Sequence, residues 1–86
     1  MEPIILNAGA LSTRADVYRA LREPLCLPDY FGNNADALYD ELTGRAEKGC
    51  VIVVGAAATV AARTELKRCL RVLTDCGWTW EKRTAG

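Results

Sequence analysis

Five apolar residues in a row, Cys50-Val51-Ile52-Val53-Val54, set the architecture of this 86-residue chain. Four of them are β-branched, Gly49 and Gly55 close the run, and no polar residue alternates within it. Such a run is too short for a helix and has the pattern of a strand covered on both faces, as inside a parallel sheet. A parallel neighbour cannot be reached by a tight turn, so the chain must supply crossovers on either side. Two further runs provide the neighbours. Pro3-Ile4-Ile5-Leu6-Asn7, halted by Asn-Ala-Gly, reads as a first strand, and Trp78 to Lys82 as a last one.

The crossovers read as helices. Thr13 is placed to cap, with Asp16 three residues on to reach back, and Val17 and Leu21, joined by Tyr18 and Ala20, form an inner face that Pro24 ends. This predicts a helix over Ser12–Glu23. Leu25 to Gly32 is an aromatic-rich loop, and Asn33 is the expected cap of a second helix over Asn34–Thr43, its stripe Ala35, Leu38, Leu42 ending at Gly44. The uncharged, alanine-rich stretch from Gly55 to Ala62 reads equally as a loop or an extra helical turn. From Thr64 the stripe Leu66, Cys69, Leu70, Leu73, Cys76 predicts a third helix, with Lys67, Arg68, Arg71 and Asp75 off the stripe and Gly77 at its end. The order β-α-α-β-α-β predicts an α/β fold, a three-stranded parallel sheet packed with helices, in one domain over residues 1–86.

Composition limits the chemistry. Half of the residues are apolar and 26% charged, as in a packed domain, and 11 Lys plus Arg balance 11 Asp plus Glu. That balance argues against a uniformly basic nucleic-acid binder. There is no histidine, so imidazole bases, Ser-His and Cys-His nucleophile pairs and His-containing metal sites are excluded. Cys26, Cys50, Cys69 and Cys76 include no Cys-x-x-Cys spacing, and the expectation is no metal, no cofactor and reduced thiols, with Cys69 and Cys76 buried on the third helix. The uncharged run from Gly49 to Ala62 falls short of the roughly 20 residues a spanning helix needs. Met1-Glu2-Pro3-Ile4 has neither the basic start nor the apolar stretch of a secretory signal, so a cytoplasmic location is expected.

Beneath the zero net charge the signs are separated. Between Glu23 and Thr43 lie five acids (Glu23, Asp29, Asp36, Asp40, Glu41) and no base, whereas Arg63 to Arg83 holds six bases against Glu65, Asp75 and Glu81. On the second helix Asp36 and Asp40 fall on one line beside Tyr39, just outside the apolar arc. Asp36 is favoured by the helix dipole, but Asp40 is not, and like charges a turn apart cost about 0.2–0.5 kcal/mol. A local rule broken without compensation points to a binding role; the plain alternative is a solvated face. Tyr30, Phe31 and Tyr39 place rings around these carboxylates, as on an interface, or else contribute to the core.

The segment Leu27-Pro28-Asp29-Tyr30-Phe31-Gly32-Asn33-Asn34-Ala35-Asp36-Ala37-Leu38-Tyr39-Asp40-Glu41-Leu42-Thr43-Gly44 closely resembles the signature of the barstar family, intracellular inhibitors of barnase-type ribonucleases. The resemblance implies that Tyr30, Asp36 and Asp40 enter the basic active site of a ribonuclease, with Gly32 and Asn34 at neighbouring loop positions. The candidate partner-binding set is therefore Tyr30, Gly32, Asn34, Asp36, Tyr39, Asp40 and Thr43, and no residue is expected to be catalytic. Arg45 stands where the family has an aromatic and Val72 where it has a third-helix acid, Asp75 being the nearest acid to that position.

The expectation is an immunity protein that occludes a barnase-type ribonuclease or related toxin, with no small-molecule substrate or membrane contact, and with nucleic acid ranked well below a protein partner. Two other readings stay open: neutralisation of a toxin that is not a ribonuclease, and a nucleic-acid-binding module built on the basic third helix. Asp36 and Asp40 as metal ligands or as an acid–base pair would need a further ligand or a deep pocket.

Overall fold

A computed structural model describes residues 2–28, 31–32 and 34–83. Strand β1 (Ile4–Asn7) leads through a single 3-10 turn at Ala8–Ala10 into helix α1 (Arg14–Arg22) and then α2 (Ala35–Thr43). Strand β2 (Cys50–Val54), helix α3 (Val60–Asp75) and strand β3 (Thr79–Arg83) follow. The strands form one parallel sheet in the order β1-β2-β3, so β2 is central as its sequence demands. Ile5 pairs with Ile52 and Ile52 with Glu81, which puts Ile4, Leu6, Val51, Val53, Trp80 and Lys82 on one face.

That face carries the helices. Leu6, Val51 and Val53 join Val17, Tyr18 and Leu21 of α1, Leu38 and Leu42 of α2, and Leu66, Cys69, Leu70 and Leu73 of α3 in one buried cluster. The opposite face of β2 is covered as well, since Ile52 is 6% exposed. Ile52 is buried but stands outside the cluster, and its neighbour Ile5 is 62% exposed. Ile5 and Glu81 flank Ile52 in the sheet, while the buried cluster that holds the helix residues takes Val51 and Val53 from β2.

Local sequence explains the helix boundaries. Thr13 accepts from the Asp16 amide at 3.1 Å while the Asp16 carboxylate accepts from the Ser12 and Thr13 amides, both at 3.0 Å, a capping box as predicted. These bonds hold the Asp16 carboxyl below its ordinary pKa. After α1 the chain turns through Cys26 at φ 53°, with the Leu27 amide bonded to the Arg22 carbonyl and the Cys26 amide to that of Glu23. This is the left-handed helix stop usually made by glycine. Gly77, at φ 87°, makes the same stop after α3.

The alanine-rich stretch resolves into both readings. Residues 55–58 form the loop, Thr59 caps by accepting from Ala62, and the helix begins at Val60, a turn earlier than the stripe from Thr64 implies. Thr59 also donates to the Ser12 carbonyl at 2.6 Å, tying the start of α3 to the entry of α1. All four cysteines are free, and Cys69 and Cys76 are buried as expected. Burial pushes the Cys69 thiol up to about 11.

Candidate functional site

Helix α2 turns Leu38 and Leu42 fully inward. The geometry of a 3.6-residue repeat then fixes the rest: Asp36, Tyr39, Asp40 and Thr43 emerge on the exposed side. Tyr39 is 43% exposed although aromatic. Neither Asp36 nor Asp40 takes part in an ion pair among the described residues. Glu41, in contrast, is half-buried and paired at 3.7 Å with Arg45.

The helix start differs from expectation. The cap is Asn34, whose side chain accepts from the Ala37 amide at 2.8 Å and donates to the Gly32 carbonyl at 3.1 Å; Asn33 lies outside the described residues. One residue of slippage matters, because it assigns Asn34 to holding the loop onto the helix. Gly32 is exposed beside it, and a side chain added there would meet the Asn34 amide at 3.1 Å. Thr43 donates to the carbonyls of Tyr39 and Asp40 within its own helix. Tyr30, like Asp29, falls outside the described residues.

Phe31 settles between its two readings. Its ring packs on Tyr18, with centroids 5.9 Å apart, and is half-buried against the core. Its remaining surface joins Pro28, Gly32, Ala37, Asp40 and Glu41 in a shallow depression. Asp40 thus stands on the rim of a partly apolar hollow, whereas Asp36 stands in the first helical turn.

The departures also find places. Arg45 bends back, bonding the Cys26 carbonyl at 3.3 Å as well as Glu41, so it fastens the end of α2 to the turn after α1. Val72 packs against the core, and the Cys76 thiol lies beside the Tyr39 carbonyl. Asp75 faces a different way, lining a depression with Lys67, Arg71, Thr74 and Trp80. It does not join Asp36 and Asp40.

The family model described as Barstar (barnase inhibitor) matches residues 1–86, the whole chain. The chain belongs to the barstar family. A ribonuclease-inhibitor role follows at the level of that family, whose members are inhibitors rather than catalysts. In barstar-family terms the signature segment contains the α2 surface, which presents Asp36, Tyr39 and Asp40 beside a shallow depression. No described group of three or more acids and thiols is arranged to hold a metal, and no described helix is long and apolar enough to cross a membrane.

One charged group here escaped the sequence reading. Glu65 is only 2% exposed, at the contact of α1 and α3. The Tyr18 hydroxyl donates to its Oε2, while Arg14 Nε at 3.0 Å and Arg68 at 3.2 Å donate to Oε1. Burial pushes its pKa up, but the hydroxyl and the two guanidinium groups outweigh burial and hold it below the ordinary value. The available signal was positional: Glu65 lies three residues after Ala62 and four before Cys69, on the buried stripe itself.

Proposed function

We propose that the protein is an intracellular immunity protein that inhibits a barnase-type ribonuclease by laying the exposed face of α2 over the enzyme's cationic active site. The supporting observation is the pair Asp36 and Asp40: two exposed carboxylates a turn apart, neither neutralised by an ion pair among the described residues. A ribonuclease must gather cations to hold phosphate. Carboxylates one helical turn apart, about 6 Å along the axis, occupy those cations in place of phosphates. Blocking of this kind needs neither a base nor a metal.

The remaining members of the set have distinct parts. Tyr39 supplies aromatic contact area beside the carboxylates, Tyr30 adds a ring from the preceding loop, and Thr43 extends the polar rim. Gly32 and Asn34 act by shape, since Asn34 fixes the loop to the helix and Gly32 leaves room for a close approach. In this reading α3 adds no acid to the contact, in keeping with Val72 packed against the core and Asp75 in a different depression. This narrower contact selects a ribonuclease whose cations cluster tightly.

Titration of the protein into an RNA-cleavage assay with its cognate ribonuclease tests the reading. Asp40→Ala is expected to weaken inhibition by about 2 kcal/mol or more, the scale of an interface hot spot, and Asp36→Ala by less. Equal inhibition by wild type and Asp40→Ala removes α2 from the contact. A toxin that is neutralised but cleaves no RNA would replace the ribonuclease with another target.

A further inference from the structure

The six bases near the C-terminal end of the sequence are not spread evenly over the fold. Arg63, Lys67 and Arg71 recur every four residues, so they form one line along α3 with a rise of about 6 Å between successive members. Lys82 comes from β3, on the same face of the sheet as Trp80. The line and the strand border two adjoining depressions that share Lys67, Leu70 and Trp80 and together make a groove: Arg63 and Lys82 line the first, Arg71 the second.

Two features set this groove apart from a solvated basic helix. Arg63, Lys67, Arg71 and Lys82 form no ion pair among the described residues, although Arg14, Arg19, Arg45, Arg68 and Arg83 all do. Among the described residues that line these depressions the one acid is Asp75, beside Arg71. The second feature is Trp80, 41% exposed between them. Its indole donates to Thr74 Oγ1 at 3.1 Å, and Thr74 donates in turn to the Leu70 carbonyl at 3.1 Å. The ring is therefore held in one orientation while its surface stays open.

We propose that the groove between α3 and β3 binds a single-stranded nucleic acid, its phosphates on Arg63, Lys67, Arg71 and Lys82 and a base stacked on Trp80. A file of unneutralised cations beside an anchored aromatic ring is what a flexible chain of alternating phosphates and bases requires. An acidic peptide would use the cations but leaves the indole without a stacking partner. A duplex keeps its bases inside, out of reach of Trp80. The groove shares no lining residue with the depression at Asp40, so this binding does not depend on the proposed ribonuclease contact.

Fluorescence anisotropy with a labelled 12-nucleotide oligouridylate tests it on the full chain. Wild type is expected to bind at low salt in about the micromolar range, with affinity that falls as salt rises. Stacking should quench the emission of Trp80, while Trp78 is buried and contributes a constant background. Lys67→Glu with Arg71→Glu is expected to weaken binding about tenfold or more. Trp80→Leu should remove the quench and weaken binding about fivefold or more, the lower end of one lost stacked base. Arg19→Glu with Lys48→Glu makes the same charge change elsewhere and should have less effect. No anisotropy change at low salt, equal binding by a duplex or by polyglutamate, or an equal loss in both charge-reversed pairs would each overturn the proposal. Lys67 and Arg71 are exposed and in no ion pair among the described residues, so their replacement breaks no such pair, and circular dichroism verifies the fold of each variant.

Discussion

Tyr18→Phe removes one oxygen atom from the buried contact between α1 and α3, and its cost can be worked from the geometry. Glu65 Oε2 accepts from the Tyr18 hydroxyl, and both residues are almost wholly buried, at 2% and 1% exposure. Phenylalanine fills the same space and leaves a carboxylate oxygen buried without a donor. A hydrogen bond to a charged group is worth about 1.5–3 kcal/mol, so the variant should lose about 2–3 kcal/mol. For a domain of this size total stability is about 4–13 kcal/mol, and such a loss lowers the melting temperature by roughly 10–20 °C. Arg14→Ala behaves differently, because its side chain is 65% exposed and its attraction is screened by water; about 0.2–1 kcal/mol is expected.

The same contact predicts a pH dependence. Glu65 titrates below its ordinary value in the folded protein, whereas in the unfolded chain it titrates near 4.3. The folded state then holds fewer protons, so this stability is complete above about pH 4.3 and is lost as pH falls through the lower folded value. Without the tyrosine hydroxyl, burial acts on the carboxyl with less opposition, and protonation relieves the variant. Urea denaturation of wild type and Tyr18→Phe at several pH values should therefore give a gap that is full at pH 7 and narrows in acid. A difference below about 0.5 kcal/mol at pH 7, or a gap that widens in acid, would refute the assignment of Glu65 as a charged, hydroxyl-bonded group.

Three other outcomes are expected. Cys26→Gly, at φ 53° on the exposed turn after α1, should stabilise the protein by about 0.5–1 kcal/mol in the same denaturation assay, since glycine adopts this conformation without strain. Thr59→Ala removes both the cap of α3 and the bond to the Ser12 carbonyl, and should cost about 1–2 kcal/mol. Association with the cognate ribonuclease should slow as salt rises, because unpaired carboxylates on α2 steer a cationic partner; stopped-flow rates that ignore ionic strength would remove steering from the account.

What the sequence made legible, and what it hid, divides along a physical line. Helix α1 could be read to within two residues at its start because its capping box is local, with donor and acceptor three residues apart. The start of α2 slipped by one because Asn33 and Asn34 are both competent caps, and the choice rests on which side chain reaches Gly32 and Ala37. Strand β2 was placed correctly in the order, because its apolar run demands a central place. Asp40 and Glu65 show the contrast most clearly. Asp40 draws attention from sequence alone, since it repels Asp36 and opposes the helix dipole with nothing nearby to offset either effect. Glu65 carries the same charge, but its partners Tyr18 and Arg14 lie 47 and 51 residues away, and only the packing of α1 on α3 brings them to it. A charge satisfied by the fold is silent in the sequence, whereas Asp40, in no ion pair among the described residues, conflicts with its own helix. By the same reasoning the cations beside Trp80, in no ion pair among the described residues, are not told apart from a solvated helix face by the sequence, because only the fold brings β3 alongside them.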